Sequence, residues 1–521
     1  MSARAPDPVV VVGAGFGGLA ATLDLAARGV PVTLVERHAE PGGKARRVEV
    51  AGRGIDAGPT VFTLRDVFES LFADAGLALE DRVALCPAEL LARHSWVDGG
   101  TLDLFVDVER SAAAIATLAG GSEADAYRRF ARRTREVHDT LDASFMRAQR
   151  PNPLTLPFAS GLRGLPAFAR TEPFRSLWAS LSATFADPRL RQLFARYATY
   201  CGSSPFRAPA TLMLIAHVER SGVWTIDGGM RALAGAIAEA AGSLGATLRF
   251  GTAVARLDVR GGGPGGKRGG RVAGVELEDG TRLPARAVVF GGDAEALARG
   301  LLGEGATRAA PSRPEASLSA VVRCELARTS GFELAHHTVF FGTDYPDEFD
   351  AVFERGEITP DPTVYVCAED RDGTVGANLA PGHDGSERLL SLVNAPARAF
   401  DEEMRAAAVD RMDAALARHG LVREGAPADG PPAGGAPVVT TPSDFDALFP
   451  ASDGALYGRP THGWTGSFAR PGAASRIDGL YLAGGSVHPG AGVPMTTLSG
   501  RLAAARACRD LGIDTAPSDR R

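Results

Sequence analysis

Six consecutive residues near the N-terminus have the types and the spacing of a site for a nucleotide pyrophosphate. Residues 13–18, Gly-Ala-Gly-Phe-Gly-Gly, contain the G-x-G-x-x-G pattern. The first glycine permits a tight turn, the second lets backbone amides approach an anion, and the third lets a helix pack closely. Glu36 follows at the spacing of a carboxylate that accepts hydrogen bonds from ribose hydroxyls and repels a 2′-phosphate. The pattern predicts a dinucleotide site that disfavours NADP.

The elements around this turn support the prediction. Residues 9–12 are a β-branched run, and residues 19–28 place apolar side chains on one helical face. Gly29 is a suitable helix stop, and residues 32–36 read as a second strand. A helix that begins at the glycine turn directs its partial positive charge toward a bound anion. Strand, turn, helix and strand form a complete βαβ unit.

Two further segments favour FAD over NAD. After the paired glycines 42–43, Lys44 can reach the pyrophosphate a second time, and the Gly-Pro turn in residues 56–61 brings backbone toward a flavin. Residues 479–494 combine an apolar strand with a glycine turn, and a helix from about Thr496 would direct amides at the flavin ring. Such a helix stabilises the negative charge that develops as hydride arrives at N5. The predicted FAD contacts are Gly13, Ala14, Gly15, Phe16, Gly17, Gly18, Glu36, Arg37, Gly43, Lys44, Gly58, Pro59, Thr60, Val61, Val254, Gly484, Gly485, Gly492, Val493 and Pro494.

The bulk composition excludes several other classes of protein. The 521 residues carry a net charge of -6 without a long basic run, so nucleic acid is not an expected partner. Five cysteines, widely separated and odd in number, argue against a disulfide framework and fit a reducing cytoplasm. No apolar run reaches the roughly 18 residues that a transmembrane helix needs. No metal-ligand spacing stands out, so no metal is expected.

Together, these segments resemble the phytoene desaturase family of carotenoid-modifying flavoenzymes. The matching stretches are residues 10–18, Glu36, 41–44, 56–61, 222–229 (GVWTIDGG) and 480–494 (LYLAGGSVHPGAGVP), which are distributed over essentially the whole chain. Residues 196–209 (RYATYCGSSPFRAP), with residues 216–229, are most similar to the bacterial hydroxyneurosporene and methoxyneurosporene desaturases. One departure is Lys44, because many related flavoproteins carry an arginine that forks across two phosphate oxygens.

The resemblance implies an FAD-dependent enzyme that removes two hydrogens from C3–C4 of an acyclic 1-hydroxy or 1-methoxy carotenoid. Hydride should leave C4 for flavin N5, because the cation left behind is delocalised into the polyene, and a proton then leaves C3. His217, Glu219 and His488 are the candidate proton acceptors, with a hydrogen-bonded structural role as the alternative for each. The sequence does not identify the electron acceptor.

The predicted fold is α/β, with a Rossmann-like FAD-binding domain intertwined with a substrate domain. The first comprises residues 1–75, 221–300 and 465–521, and the second comprises 76–220 and 301–464, a mixed sheet with a helical cap over about 123–220. Residues 154–193 place Phe158, Phe168, Phe174, Leu177, Trp178 and Phe185 among arginines, as either a monotopic membrane face or a cap over the substrate tunnel. We expect a cytoplasmic protein, peripherally associated with the inner or an intracytoplasmic membrane.

Three alternatives stay open on the sequence. The first is a phytoene or neurosporene desaturase with the same site and a different tunnel. The second is a flavin amine oxidase, which would need an aromatic cage around the amine. The third is a non-catalytic carotenoid-binding protein that keeps FAD for structure, since a fold does not by itself fix a function.

Overall fold

The computed structural model describes residues 7–152, 156, 165–261, 269–371, 385–424 and 435–513. Among them, the strands are β1 (Val9–Val12), β2 (Val32–Val35), β3 (Arg47–Val50), β4 (Arg53–Asp56), β5 (Leu85–Ala88), β6 (Leu90–Ser95), β7 (Thr101–Phe105), β8 (Val223–Ile226), β9 (Thr247–Arg249), β10 (Val254–Arg260), β11 (Arg271–Leu277), β12 (Arg282–Pro284), β13 (Ala287–Phe290), β14 (Ser319–Gly331), β15 (His337–Phe340), β16 (Val364–Ala368), β17 (Glu387–Ala395), β18 (Leu421–Glu424), β19 (Val438–Thr440) and β20 (Leu480–Leu482).

The α-helices of the same residues are α1 (Phe16–Ala27), α2 (Arg65–Asp74), α3 (Val108–Ala119), α4 (Gly121–Leu141), α5 (Leu165–Arg170), α6 (Leu177–Thr184), α7 (Pro188–Ala195), α8 (Leu214–Arg220), α9 (Gly229–Ser243), α10 (Ala294–Ala298), α11 (Tyr345–Asp350), α12 (Glu402–Arg418), α13 (Pro442–Leu448) and α14 (Val493–Asp510). Helices and sheets are therefore interleaved along the chain, and the predicted α/β architecture is confirmed.

A five-stranded parallel sheet holds the dinucleotide motif. Its order is β20-β13-β1-β2-β9, so the valine run of β1 lies in the middle, paired with β13 on one side and β2 on the other. A central parallel strand is buried on both faces, which explains why β1 is apolar throughout rather than alternating. The predicted βαβ unit is confirmed by β1, α1 and β2. The helix predicted from about Thr496 begins earlier, at Val493.

The segment of residues 248–259 forms two strands rather than one. Its first part is β9, which pairs in parallel with β2, and its second part is β10, which pairs antiparallel with β11. The two are separated by a turn at Gly251, whose φ of +61° lies in the left-handed region that favours glycine. An apolar run through a turn of this kind looks continuous in the sequence.

The second large sheet is mixed, as predicted for the substrate domain. Strands β18, β14, β17, β16, β15, β6 and β7 follow one another, and β19 also pairs with β14. Most neighbours are antiparallel, while β15 and β6 are parallel. This sheet carries several polar side chains of the candidate site. The proposed boundaries between the two domains stay a prediction.

Helices α3, α4, α6 and α7 share an apolar core with this sheet. Helix α4 continues into a π-helical turn over Asp142–Met146. In the segment 154–193, Leu177 and Phe185 are buried in that core, whereas Phe174 is 75% exposed. Leu154 and Phe158 lie outside the described residues. The described part of the segment thus contributes to the core and also has one prominent exposed aromatic, and both interpretations of the segment stay predictions. Within the described ranges, no helix combines the length and apolar character needed to cross a membrane.

Candidate cofactor and substrate site

The glycine loop after β1 has the geometry of an anion-binding turn. Gly13 has a φ of +98°, and a Cβ on Gly18 would stand 1.8 Å from the Gly13 carbonyl oxygen, so both positions require glycine. A Cβ on Gly15 would meet no protein atom within 4 Å. The loop is therefore closely packed on the protein side and open at Gly15, where α1 begins. An open face at a helix N-terminus fits the approach of a pyrophosphate.

Glu36 lies at the end of β2 and is directed at the same loop. Its carboxylate accepts hydrogen bonds from the backbone amides of Ala14, at 2.6 Å, and His38, at 2.9 Å, and the residue is buried. A carboxylate has about four lone-pair sites, so two remain for ribose hydroxyls. Glu36 thus fixes the loop and fits the ribose of a dinucleotide.

The C-terminal segment closes over the loop, as its glycines predict. A Cβ on Gly17 would stand 2.8 Å from the Gly484 amide nitrogen, and one on Gly500 would stand 2.0 Å from the Gly17 carbonyl oxygen. Helices α1 and α14 therefore approach each other through glycines. This packing brings residues 484–494 beside the dinucleotide loop, and Gly492, Val493 and Pro494 line the cavity described below.

Asp56 connects two of the motifs. Its carboxylate accepts a hydrogen bond from the Met230 amide at 2.8 Å, at the start of α9, and its own amide donates to the Glu369 carboxylate at 2.6 Å. The Trp224 amide donates to the Phe62 carbonyl at 3.1 Å. The 222–229 motif thereby holds residues 58–61 against the cavity, which Gly58, Pro59, Thr60 and Val61 line.

The side chain of Lys44 is hydrogen-bonded to the backbone of a distant segment, and its predicted contact with the pyrophosphate stays a prediction. Its Nζ donates to the carbonyl oxygens of Leu456, at 2.5 Å, and Ala455, at 3.4 Å, and burial lowers its pKa to about 8. The backbone beside it does reach the loop, since the Gly42 amide donates to the Ala14 carbonyl, and a Cβ on Gly43 would stand 3.1 Å from the Gly15 Cα. The lysine ties the 455–456 backbone to the loop.

Two other predicted contacts lie at the edge of this region. Arg37 is exposed. Val254 is the first residue of β10, two positions after Thr252, whose amide donates to the Glu36 carbonyl at 2.8 Å. Neither residue has a polar side-chain contact that assigns it to the cofactor.

A cavity of about 650 Å³ extends from these segments to strands β16 and β17 of the mixed sheet. Most of its wall is apolar, and it includes both predicted flavin-side segments, residues 58–61 and 489–495. Phe174 and Trp464 also line it, although they are 75% and 42% exposed, and their rings lie 5.4 Å apart. These two aromatics mark an opening to the surface.

Of the three candidate proton acceptors, Glu219 lines this cavity. It lies on α8, is buried, and its Oε2 accepts a hydrogen bond from the Tyr197 hydroxyl at 2.6 Å. His217 and His488 do not line the cavity. His217 packs on His138 at 4.9 Å, and His488 Nε2 lies 3.0 Å from the Ala148 carbonyl. Burial lowers the pKa of each imidazole to about 4, so both are neutral near pH 7 and have structural contacts.

The sequence analysis did not identify a polar region of the cavity wall. It includes Arg196, Tyr200, Tyr345, Glu348, Tyr365 and Asn394. Glu348 accepts from Thr363 Oγ1 at 2.6 Å and from Asn394 Nδ2 at 2.7 Å, and burial raises its pKa to about 7. Tyr365 and Thr60 share a hydrogen bond of 2.7 Å between their hydroxyls. These residues come from elements that are distant in the sequence. Of them, only residues 196–200 belong to a sequence motif noted above, and that motif had no assigned role.

Two groups of side chains have ligand atoms within 4.8 Å of one another, His336–His337–Cys367 and His138–Asp139–His217. Burial raises the pKa of the Cys367 thiol well above its usual value, which disfavours the thiolate that a metal would need. Neither group lines the cavity.

Comparisons with known proteins agree with this geometry. The sequence profile of the family described as flavin containing amine oxidoreductase matches residues 16–508. The chain is 48% identical over 505 residues to hydroxyneurosporene desaturase of Rubrivivax gelatinosus, with 95% of this chain and 92% of that protein covered. It is 44% identical over 507 residues to hydroxyneurosporene desaturase of Cereibacter sphaeroides, with 96% and 98% covered.

Among solved structures, cyclohexylamine oxidase from Brevibacterium oxydans superposes with a TM-score of 0.55 at 15% identity, over 98% of this chain and 100% of that chain. At that identity the likeness shows the fold alone. The match to the family profile makes a flavin the cofactor that the dinucleotide loop serves. The chain belongs to the flavin-containing amine oxidoreductase family and, within it, to the carotenoid desaturases.

Proposed function

We propose that this protein is an FAD-dependent desaturase that removes two hydrogens from C3–C4 of an acyclic 1-hydroxy or 1-methoxy carotenoid. The observation that carries the proposal is the single cavity that joins both flavin-side segments to a long apolar wall and a surface opening. A polyene needs such a wall, because its surface offers no hydrogen bonds. The two hydroxyneurosporene desaturases support this choice of substrate.

FAD fits the residues of the dinucleotide loop better than other dinucleotides do. The open face at Gly15 and the carboxylate of Glu36 suit its pyrophosphate and ribose, and residues 58–61 and 492–494 suit its ring. When bound, FAD supplies a hydride acceptor. The chain's own contribution is to orient the polyene and to exclude water from it, through apolar side chains such as Leu141, Leu212 and Val218.

Glu219 is the proposed acceptor of the C3 proton. It is the one predicted candidate on the cavity wall, and a carboxylate there also stabilises positive charge that develops in the polyene. The other carboxylate on the wall, Glu348, has both oxygens engaged by Thr363 and Asn394. That arrangement suits a structural role for Glu348.

A flavin amine oxidase would share this fold, as cyclohexylamine oxidase does. The predominantly apolar wall supports the carotenoid instead, because an amine needs a polar or caged site. The proposal is tested by supplying FAD-loaded enzyme with 1-hydroxyneurosporene, neurosporene or phytoene in liposomes and analysing products by mass and absorbance. Loss of two hydrogens from the hydroxylated substrate supports it, and turnover of phytoene instead would contradict it.

Membrane docking at the cavity opening is a further part of the proposal. Close in sequence to the exposed Phe174, a groove between α4 and α5 is lined by four arginines and two glutamates, Arg129, Arg132, Arg133, Arg170, Glu136 and Glu172. It is connected to the opening through Glu172, whose carboxylate pairs with Arg133 at 2.8 Å. Exposed aromatics flanked by arginines suit the interface of an anionic bilayer. Docking there would let an apolar substrate enter from the lipid.

Replacing Phe174 and Trp464 together by serine is expected to weaken binding to substrate-free vesicles containing phosphatidylglycerol by at least about tenfold. Burying a large apolar side chain fully contributes about 1.5–3 kcal/mol. Because Phe174 and Trp464 are only partly exposed, each contributes only part of that free energy to vesicle binding. Co-sedimentation with the vesicles measures the effect. The matched control replaces Leu301 and Val422, which are 46% and 49% exposed and do not line the cavity. Equal vesicle binding by the aromatic double variant and the control would contradict docking at the opening.

A further inference from the structure

A partly buried arginine interrupts the apolar wall of the cavity. Arg196 follows α7, and its Nη2 donates to the Tyr200 hydroxyl at 3.0 Å, with the guanidinium 5.1 Å from the Tyr200 ring centre. Within the described part of the chain, its buried Nε has no hydrogen-bond partner. The Tyr345 hydroxyl, on the same cavity wall, is also buried without a partner there. A guanidinium has five N–H donors, and Arg196 lines a mainly apolar cavity, so its remaining donors provide a place for a polar group of a ligand.

The charges around Arg196 keep it cationic. Burial alone would lower its pKa, but the nearby Tyr200 and Glu219 outweigh burial and raise it. Glu219 is held in this cluster by the Tyr197 hydroxyl, at 2.6 Å. A guanidinium has only N–H donors and no acceptor. The group that it recognises must therefore offer a lone pair, as a hydroxyl or ether oxygen does.

The cluster lies on the flavin side of the cavity. Tyr365 is close enough to Tyr200 and Arg196 for both to affect its phenol electrostatically, and its hydroxyl bonds to Thr60 of the flavin-side segment. In a 1-oxygenated carotenoid the oxygen lies about 4–5 Å from C4, by covalent geometry. An oxygen bound at the cluster would thus hold C4 on the side of the cavity where the flavin-side segments lie.

We propose that Arg196 donates a hydrogen bond to the oxygen on C1 of the carotenoid, so that Arg196, Tyr200 and Glu219 form the subsite that selects an oxygenated end group and places C3–C4 for reaction. This inference rests on the proposed function and adds to it the residue that determines specificity. Because Arg196 donates the hydrogen bond and the ligand oxygen only accepts it, a methoxy oxygen should bind as well as a hydroxyl oxygen. A substrate without the oxygen would leave the guanidinium unpaired and be rejected.

The test compares 1-hydroxyneurosporene, 1-methoxyneurosporene and neurosporene with wild-type protein, Arg196→Met and the control Arg207→Met. Arg207 is partly exposed, pairs with Glu315 at 3.0 Å and does not line the cavity. Wild type and Arg207→Met should prefer both oxygenated substrates in kcat/KM. In Arg196→Met the preference over neurosporene should fall about 30-fold, the range that loss of one hydrogen bond to a charged group produces. Dissociation constants, measured by carotenoid absorbance on titration of the FAD-loaded protein, should change in the same direction.

Removing the arginine alone leaves the buried Glu219 carboxylate without its cation, which can prevent folding. The double variant Arg196→Met/Glu219→Gln removes both charges, and it should bind all three carotenoids with similar dissociation constants. If either folded variant keeps the wild-type preference for oxygenated carotenoids, the subsite is elsewhere and only this inference fails. If wild type turns over none of the three, the proposed function fails and the inference fails with it.

Discussion

Replacing Gly15 by alanine is expected to give a folded protein that no longer retains its flavin. The backbone at Gly15 is extended, with φ −69° and ψ 169°, and a Cβ there meets no protein atom within 4 Å, so alanine fits the fold. The same Cβ would occupy the open face through which a pyrophosphate reaches the amides at the start of α1. We expect FAD binding to weaken at least about 100-fold, equivalent to about 2.7 kcal/mol. The flavin-to-protein absorbance ratio and a fluorescence titration with FAD measure the loss.

Gly235→Ala is the matched control for this variant. Gly235 lies within α9, and a Cβ there also meets nothing within 4 Å. In a helix interior this change should stabilise the protein by about 0.5–1 kcal/mol and leave flavin content unchanged. A Gly15→Ala protein that purifies with a full complement of flavin would show that the pyrophosphate binds elsewhere.

Glu219→Gln is expected to lower kcat by about 100-fold or more, the usual contribution of a positioned general base. Glutamine retains a carbonyl oxygen for the Tyr197 hydroxyl but cannot accept the C3 proton at neutral pH. The flavin content should not change, because Glu219 is not part of the dinucleotide loop. Steady-state kinetics with 1-hydroxyneurosporene measure kcat, and deuterium at C3 should give a larger isotope effect in the variant than in wild type.

The comparison for Glu219 is Glu348→Gln, the other carboxylate of the cavity wall. Both oxygens of Glu348 accept hydrogen bonds from the protein, so this change should retain most of kcat while affecting stability. If the Glu219→Gln variant keeps the wild-type kcat, Glu219 is not the general base. An equal loss in the two variants would indicate a shared electrostatic effect rather than proton transfer.

The dinucleotide half of the site could be predicted from the sequence because its determinants are local. Gly13, Gly15, Gly18 and Glu36 lie within one βαβ unit, and each has a geometric requirement that limits the residue type. The closing segment was predictable for the same reason, since its glycines and the start of α14 are contiguous. Lys44 shows where local sequence stops being sufficient. Its position in the turn could be read from the sequence, but the carbonyl oxygens of residues 455 and 456 that accept hydrogen bonds from its ammonium are distant in sequence.

The substrate half depends on tertiary contacts that spacing does not encode. Arg196, Glu219 and Glu348 line the same cavity from three separate parts of the chain. His217 and Glu219 are two residues apart on one helix, yet Glu219 faces the cavity and His217 does not, because side chains two apart on a helix point in different directions. The packing of α8 against α4, rather than the residue type, therefore determines which of the two side chains can contact a substrate.

Anaerobic single turnover tests the central claim most directly. Oxygen-free, FAD-loaded enzyme is mixed with liposomes containing 1-hydroxyneurosporene, while flavin absorbance is followed and the carotenoid is then analysed by mass. We expect bleaching of the flavin together with one equivalent of a carotenoid that has lost two hydrogens and gained a double bond at C3–C4. Bound flavin that stays oxidised while the carotenoid is unchanged, or a new double bond at another position, would contradict it.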